Sequence, residues 1–357
     1  MPDRSEFVSL VKALATVAAI ACTVAVALWL VWRPRRLMPP QRWRAVAWSG
    51  WHCGLACLLL ILFSDLVTAA LDSQGVASWV FGKPTDKLVA DRLARYVAGL
   101  ITLPGILLGW WLLLWPWSAG RPFRLGGSRD AILGVVAWMG VGPLVYVVNM
   151  IALVIYGAVY GSPPKDHPLL ELLRNQGTAS MVWTLVLVES IIAAPIREEL
   201  LFRGILQPWF SRDENGGPHA FAWAALVGIV FRSLTITETG LGRAVSLAAP
   251  VLLVAVIVPV ALRVADLFGR PQPPVALLWL LPLRDPDQRR RAVLGIFGTA
   301  ALFANVHAAV WPTPVPLFVL GLGLGWLAMR TQGVIAPIVC HAFFNAVACV
   351  EMYYLAR

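Results

Sequence analysis

Apolar runs of about twenty residues, separated by short charged or Pro/Gly-rich breaks, recur along the whole chain and leave it few ways to fold. They lie near 7–32, 45–71, 96–118, 131–158, 182–208, 220–240, 244–267, 292–311, 314–329 and 334–355. In hydrocarbon, every backbone N–H and C=O has to find its partner inside the protein, so runs of this length are expected to be membrane-crossing helices. The composition agrees: of 357 residues 59% are hydrophobic and 13% charged, 17 are Trp, and the mean hydropathy is +0.73. No soluble domain of this size reads so apolar. The expected fold is all-α, a polytopic transmembrane helical bundle with roughly 8–10 spans.

The first run carries Lys12 and follows Asp3 and Glu6 instead of a basic leader, so it reads as a retained span and not a cleaved signal peptide. Basic residues crowd three breaks: Arg33, Arg35, Arg36, Arg42 and Arg44 in one, Arg121, Arg124 and Arg129 in another, and Arg284, Arg289, Arg290 and Arg291 in a third. By the positive-inside rule these face the cytoplasm, with the 72–95 and 159–181 segments outside. The net charge of +10 therefore reports topology and contact with the anionic headgroups of the bilayer. No basic run is interleaved with aromatics on a soluble domain, which excludes a nucleic-acid partner.

Cys22, Cys53, Cys57, Cys340 and Cys349 all fall inside apolar runs, where Cys acts as a small packing residue. Cys53 and Cys57 are spaced C-x-x-x-C with no second ligand pair to follow, which does not make a metal or redox site. No internal repeat is evident, and the stretch at 271–282, with Pro271, Pro273 and Pro274, reads as a break between spans.

Three polar clusters interrupt the C-terminal runs, and ionisable groups at membrane depth are costly and usually functional. In MVWTLVLVESIIAAPIREELLFRGILQ, Glu199 and Arg203 stand four apart on one helical face and can form an ion pair. Glu198 points about 100° away, which leaves its carboxylate available as a general base toward water. The plainer reading is that these charges sit at the interface and snorkel to the headgroups. LFANVHAAVW sets Phe303 and His307 one turn apart, and a lone His there can also be a satisfied packing residue. IVCHAFFNAV sets His341 and Asn345 one turn apart, so the amide could orient the imidazole or share a water with it. Together the clusters supply a base, an electrophile and an oxyanion donor.

R-E-E-L-L-F-R-G, F-A-N-V-H and H-A-F-F-N resemble, in order, the three motifs of the CAAX protease and bacteriocin-processing family, whose eukaryotic relatives are type II CAAX prenyl endopeptidases. The resemblance runs from about 182 to 355 and includes LGLGLGWLAMRTQGVIAP between the two His motifs, while residues 1–181 form an N-terminal set of helices with no recognisable signature. It implies a membrane-embedded peptidase, with Glu198 activating water, Glu199 and Arg203 supporting it, and His307, His341 and Asn345 completing the site. Phe303 would pack beside His307. The resemblance implies a membrane-associated peptide or protein substrate and a multi-pass protein of the bacterial plasma membrane, its site opening to the cytoplasm.

The connection from Arg203 to Phe303 is long for this family and suggests an insertion at 232–290. AFAWAALVGIVFRSL looks like the start of a second-motif helix, but Thr235 stands four after Phe231 where His would be needed. Glu198, His307 and His341 could alternatively hold one divalent metal such as zinc, with the fourth position left to water, although no H-E-x-x-H is present. A metal-free route with the same residues is equally open. Two other classes compete: a non-catalytic immunity or scaffold protein retaining the fold, and a transporter using Asp65, Glu189 and Asp266, against which no inverted pair of broken helices is seen. Glu189 lies nine residues before Glu198, on the opposite face of a regular helix, and reads as a packing group.

Overall fold

The computed structural model describes residues 20, 46–81, 87–118, 124–161, 180–236 and 240–356. The expected span at 7–32 lies almost wholly outside them. Among the described residues there are helices and no strands: α1 (Gly50–Ala70), α2 (Ser73–Phe81), α3 (Lys87–Leu114), α4 (Ser128–Tyr160), a composite α5 over 180–210, α6 (Gly216–Ser233), α7 (Gly240–Phe268), α8 (Val275–Leu280), α9 (Pro286–Asn305), α10 (Pro314–Thr331) and α11 (Ile335–Ala356). The chain is a polytopic helical membrane protein. Six described helices are long and apolar enough to cross a bilayer: Gly50–Ala70, Val89–Trp117, Ser128–Tyr160, Gly242–Phe268, Pro314–Thr331 and Ile335–Tyr353. Their outward faces are apolar too, with Leu66, Val154 and Val256 each about two-thirds exposed, as suits side chains that meet lipid.

The described helices fall into two compact units. One contains α1, α2, α3, α5 as far as Trp209, and α11 from His341 onward. Its core gathers Val80, Val89, Leu93, Val182, Trp183 and Val186, with Met352 and Tyr353 packed against them. The Trp110 indole N–H donates to the Ala56 carbonyl at 2.9 Å, tying α3 to α1.

Within this unit, α5 is not a regular α-helix. It runs as Ser180–Leu187, a π-helical stretch Val188–Ala193, an α turn Ala194–Glu199, a second π stretch Leu200–Leu206, and Gln207–Phe210. Each π stretch ends just before a proline, Pro195 or Pro208. A proline ring clashes with the carbonyl four residues back and offers no N–H, so the preceding turn widens to i→i+5 bonding. Accordingly the Ala194 N–H bonds the Glu189 carbonyl, and the Gln207 N–H bonds the Phe202 carbonyl. Side chains then bind carbonyls of the widened turns, Trp48 Nε1 to Ile205 at 3.1 Å and Asn345 Nδ2 to Ser190 at 2.7 Å.

The other unit contains α4, α6 to α10 and the first turn of α11. Here α9 is central, packed against α6, α7 and α10, while α10 packs on α4. Almost every residue of α9 from Ala292 to Asn305 is buried. Small residues permit this closeness, as is usual between membrane helices. A Cβ on Gly298 would come within 2.5 Å of the Ala220 Cβ on α6, and one on Gly134 of α4 within 2.5 Å of the Ala336 carbonyl.

The stretch from the end of α7 to α9 is closed by one buried side chain. Arg289 is 2% exposed and donates from Nε to the Phe268 carbonyl at 2.6 Å, from Nη1 to Leu283 at 2.7 Å and Arg284 at 2.9 Å, and from Nη2 to Arg270 at 2.7 Å. Replacing Arg289 by Met orphans four carbonyls, and hydrogen bonds to a charged donor are worth about 1.5–3 kcal/mol each without being additive. The expected result is a loss of about 3 kcal/mol or more, read as a clear fall in the melting temperature of the detergent-solubilised protein. A variant melting with the wild type would contradict the clamp.

Candidate active site

Glu198, Glu199 and Arg203 come from α5, and His341 and Asn345 from α11, all in the same unit. Glu199 is wholly buried. Its Oε1 accepts from Arg203 Nη1 at 2.9 Å, so the ion pair expected from the i,i+4 spacing is present, with both side chains inaccessible to solvent. The same oxygen lies 2.9 Å from His341 Nδ1. A carboxylate oxygen can only accept, so Nδ1 carries the hydrogen and donates it. In the neutral imidazole, Nε2 then bears the lone pair.

That nitrogen faces Glu198, whose Oε2 is 4.0 Å away. The separation is too long for a direct hydrogen bond but suits a single water or hydroxyl touching both atoms. Adjacent carboxylates thus differ in surroundings: the Glu199 side chain is 0% exposed and held by two donors, the Glu198 side chain 23% exposed. Asn345 does not bond the imidazole one turn before it; its amide donates to the Ser190 carbonyl.

The second-motif residues lie in the other unit. The expected span at 292–311 starts earlier and stops sooner as α9, because Asp285 caps its N-terminus by accepting from the Asp287 N–H. His307 falls in the turn just past its C-terminus, half-buried. Its Nδ1 donates to the Phe303 carbonyl at 2.8 Å, and the Phe303 and His307 rings pack edge to face with centroids 5.2 Å apart. Thr235, which stands where the α6 copy of the motif would need His, donates its hydroxyl to the Ala309 carbonyl at 2.9 Å and so braces the turn that holds His307.

Helical arithmetic misplaced one pair. The regular period sets Glu189 opposite Glu198, yet Arg197 Nη2 donates to Glu189 Oε1 at 2.8 Å, and the charges of Glu189 and Glu198 are close enough to interact. The π stretch at Val188–Ala193 re-phases the helix between them. Glu189 is buried against α3, where a Cβ on Gly99 would sit 2.6 Å from its Oε1. Pro195 was the sequence signal that the period would break.

Among the described residues no group of three or more His, Cys, Asp and Glu side chains is gathered to hold a metal ion. Within the unit that carries Glu198, the pair Glu198 and His341 offers two donors where a catalytic zinc takes three protein ligands. None of Cys53, Cys57, Cys340 and Cys349 forms a disulfide.

The family model for type II CAAX prenyl endopeptidase, Rce1-like, matches residues 179–265 and 277–347, a region that carries all three motifs. The match covers less than half of the chain, and over that C-terminal region it supports membership of the CAAX protease family. The match supports a CAAX-protease-type hydrolase in general, and with the six apolar helices it fits an integral multi-pass membrane protein. The match takes in residues 232–265 and 277–290 as well, leaving out only 266–276 of the long connection between the first two motifs. No curated protein and no solved structure gives a significant match to the chain.

Proposed function

We propose that this chain is an intramembrane endopeptidase of the CAAX protease type that hydrolyses a peptide bond of a membrane-associated protein or peptide. Glu198 is the general base. The observation that carries the reading is the 4.0 Å gap between Glu198 Oε2 and His341 Nε2, with the imidazole held in one tautomer by a buried, Arg203-paired Glu199.

A water in that gap donates one hydrogen to Glu198 and the other to the Nε2 lone pair, which turns its oxygen lone pair toward a scissile carbonyl. Attack transfers the first proton to Glu198, and the protonated carboxyl then gives it to the departing amine. Glu199 accepts from Arg203 and His341 Nδ1 at once, which fixes the orientation of the imidazole through the step. His341 serves this step as the neutral acceptor that orients the water, and Asn345 supports the helix that carries it.

The positive-inside rule applied to the basic segments supports a site on the cytoplasmic side, and the membrane proposed is a bacterial plasma membrane. The lipid bilayer is the partner that presents the substrate; no nucleic acid is involved. The test is cleavage of a peptide library by protein reconstituted in liposomes, with each peptide offered both tethered to the bilayer and free in solution. Cleavage of tethered peptides alone is expected. A chelator arm separates the two chemical routes: activity that survives chelation supports the metal-free route, whereas loss restored by zinc supports the metal route. No cleavage of any peptide would favour the scaffold alternative.

A further inference from the structure

The Ser190 carbonyl is in an unusual position. In an α-helix it would accept from the Ala194 N–H, but that N–H bonds Glu189 in the widened turn. In a π-helix it would accept from residue 195, which is proline and has no N–H. Its partner is instead the side-chain amide of Asn345, at 2.7 Å from the next element of the same unit. One turn further along the same face of α11 lies Cys349, close enough to Ser190 to interact with it.

We propose that Asn345 is a positioning residue whose amide replaces the backbone donor that Pro195 withholds, locking the π turn of α5 to the helix that carries His341. This rests on the proposed reading of Glu198 and His341 as a water-activating pair. The two groups face each other from α5 and α11, and between those helices the Asn345 bond joins residues eight before Glu198 and four after His341. A buried amide left without its acceptor, or a carbonyl left without its donor, shifts the helices by enough to open a gap that one water must span.

Pro195 supplies the test, because Pro195→Ala returns a backbone N–H to the turn. Either as a π turn, with residue 195 donating to Ser190, or relaxed to α, with Ala194 donating to it, the carbonyl then has a main-chain partner. The experiment is a double-mutant cycle of Asn345→Leu and Pro195→Ala in the full-length protein, read by melting temperature in detergent and by kcat and KM on a bilayer-tethered peptide. Asn345→Leu is expected to lower the melting temperature and to reduce kcat roughly tenfold, with KM little changed, in the Pro195 background. In the Pro195→Ala background the same substitution is expected to cost less than about threefold and little in melting temperature.

Equal losses of kcat in the two backgrounds would overturn the proposal and make Asn345 a direct oxyanion donor, whose contribution Pro195 cannot alter. Asn345→Ser, smaller and still able to donate, repeats the cycle should the leucine variant not fold. The melting-temperature arm needs no catalysis. A coupled cycle there with no cleavage by the wild type would uphold the Ser190 bond while sinking the peptidase reading, and an uncoupled cycle in an active enzyme would do the reverse.

Discussion

Arg203→Met should leave a protein that barely folds. Arg203 and Glu199 have fully buried side chains 2.9 Å apart, and removing the cation strands a carboxylate in a place without water. Breaking one side of a buried pair costs about 3–5 kcal/mol, a large part of the roughly 5–15 kcal/mol by which folded proteins are stable. The expected readout is loss of the monodisperse peak on size exclusion, or a fall of many degrees in melting temperature. Glu199→Gln added to Arg203→Met should recover more than half of that loss. The uncompensated charge is then gone, while the amide oxygen can still accept from His341 Nδ1. An Arg203→Met protein as stable as the wild type would mean that the pair does not hold α5 together.

Glu198→Gln should behave in the opposite way, folding normally and failing chemically. The side chain is 23% exposed and takes part in no short ion pair, so an isosteric amide disturbs little. It cannot take a proton from water, and general-base catalysis supplies about 10²–10⁴ in rate. The expected result is a fall in kcat of that order at an unchanged melting temperature. Equal falls in stability and activity would place Glu198 with the structural charges of α5 instead.

Much of this architecture is legible in the sequence, and the exceptions have physical causes. Runs such as 314–329 became the helix Pro314–Thr331 nearly as read, because bilayer length and hydrophobicity fix a helix with little help from its neighbours. Glu199 with Arg203, and Phe303 with His307, meet as spacing predicts, since an i,i+4 pair depends only on the local turn. Glu189 with Arg197 was not legible, because that pairing crosses a π turn whose phase no fixed period supplies. Pro195 announces a break but not whether the helix kinks, stops or widens; the answer depends on Asn345, 150 residues further along the chain. The Pro-rich stretch before α9 read as a plain break, yet it contains the short helix Val275–Leu280 and is organised by the Arg289 fan. Those four bonds are tertiary and leave no local pattern.

The central claim is that Glu198 activates water for peptide hydrolysis. Its most direct test is the single-turnover rate of cleavage of a bilayer-tethered peptide by wild type and by Glu198→Gln, each shown beforehand to melt at the same temperature. The account predicts cleavage by the wild type and a rate lower by about 10² or more for Glu198→Gln. Cleavage at the wild-type rate by Glu198→Gln would contradict it.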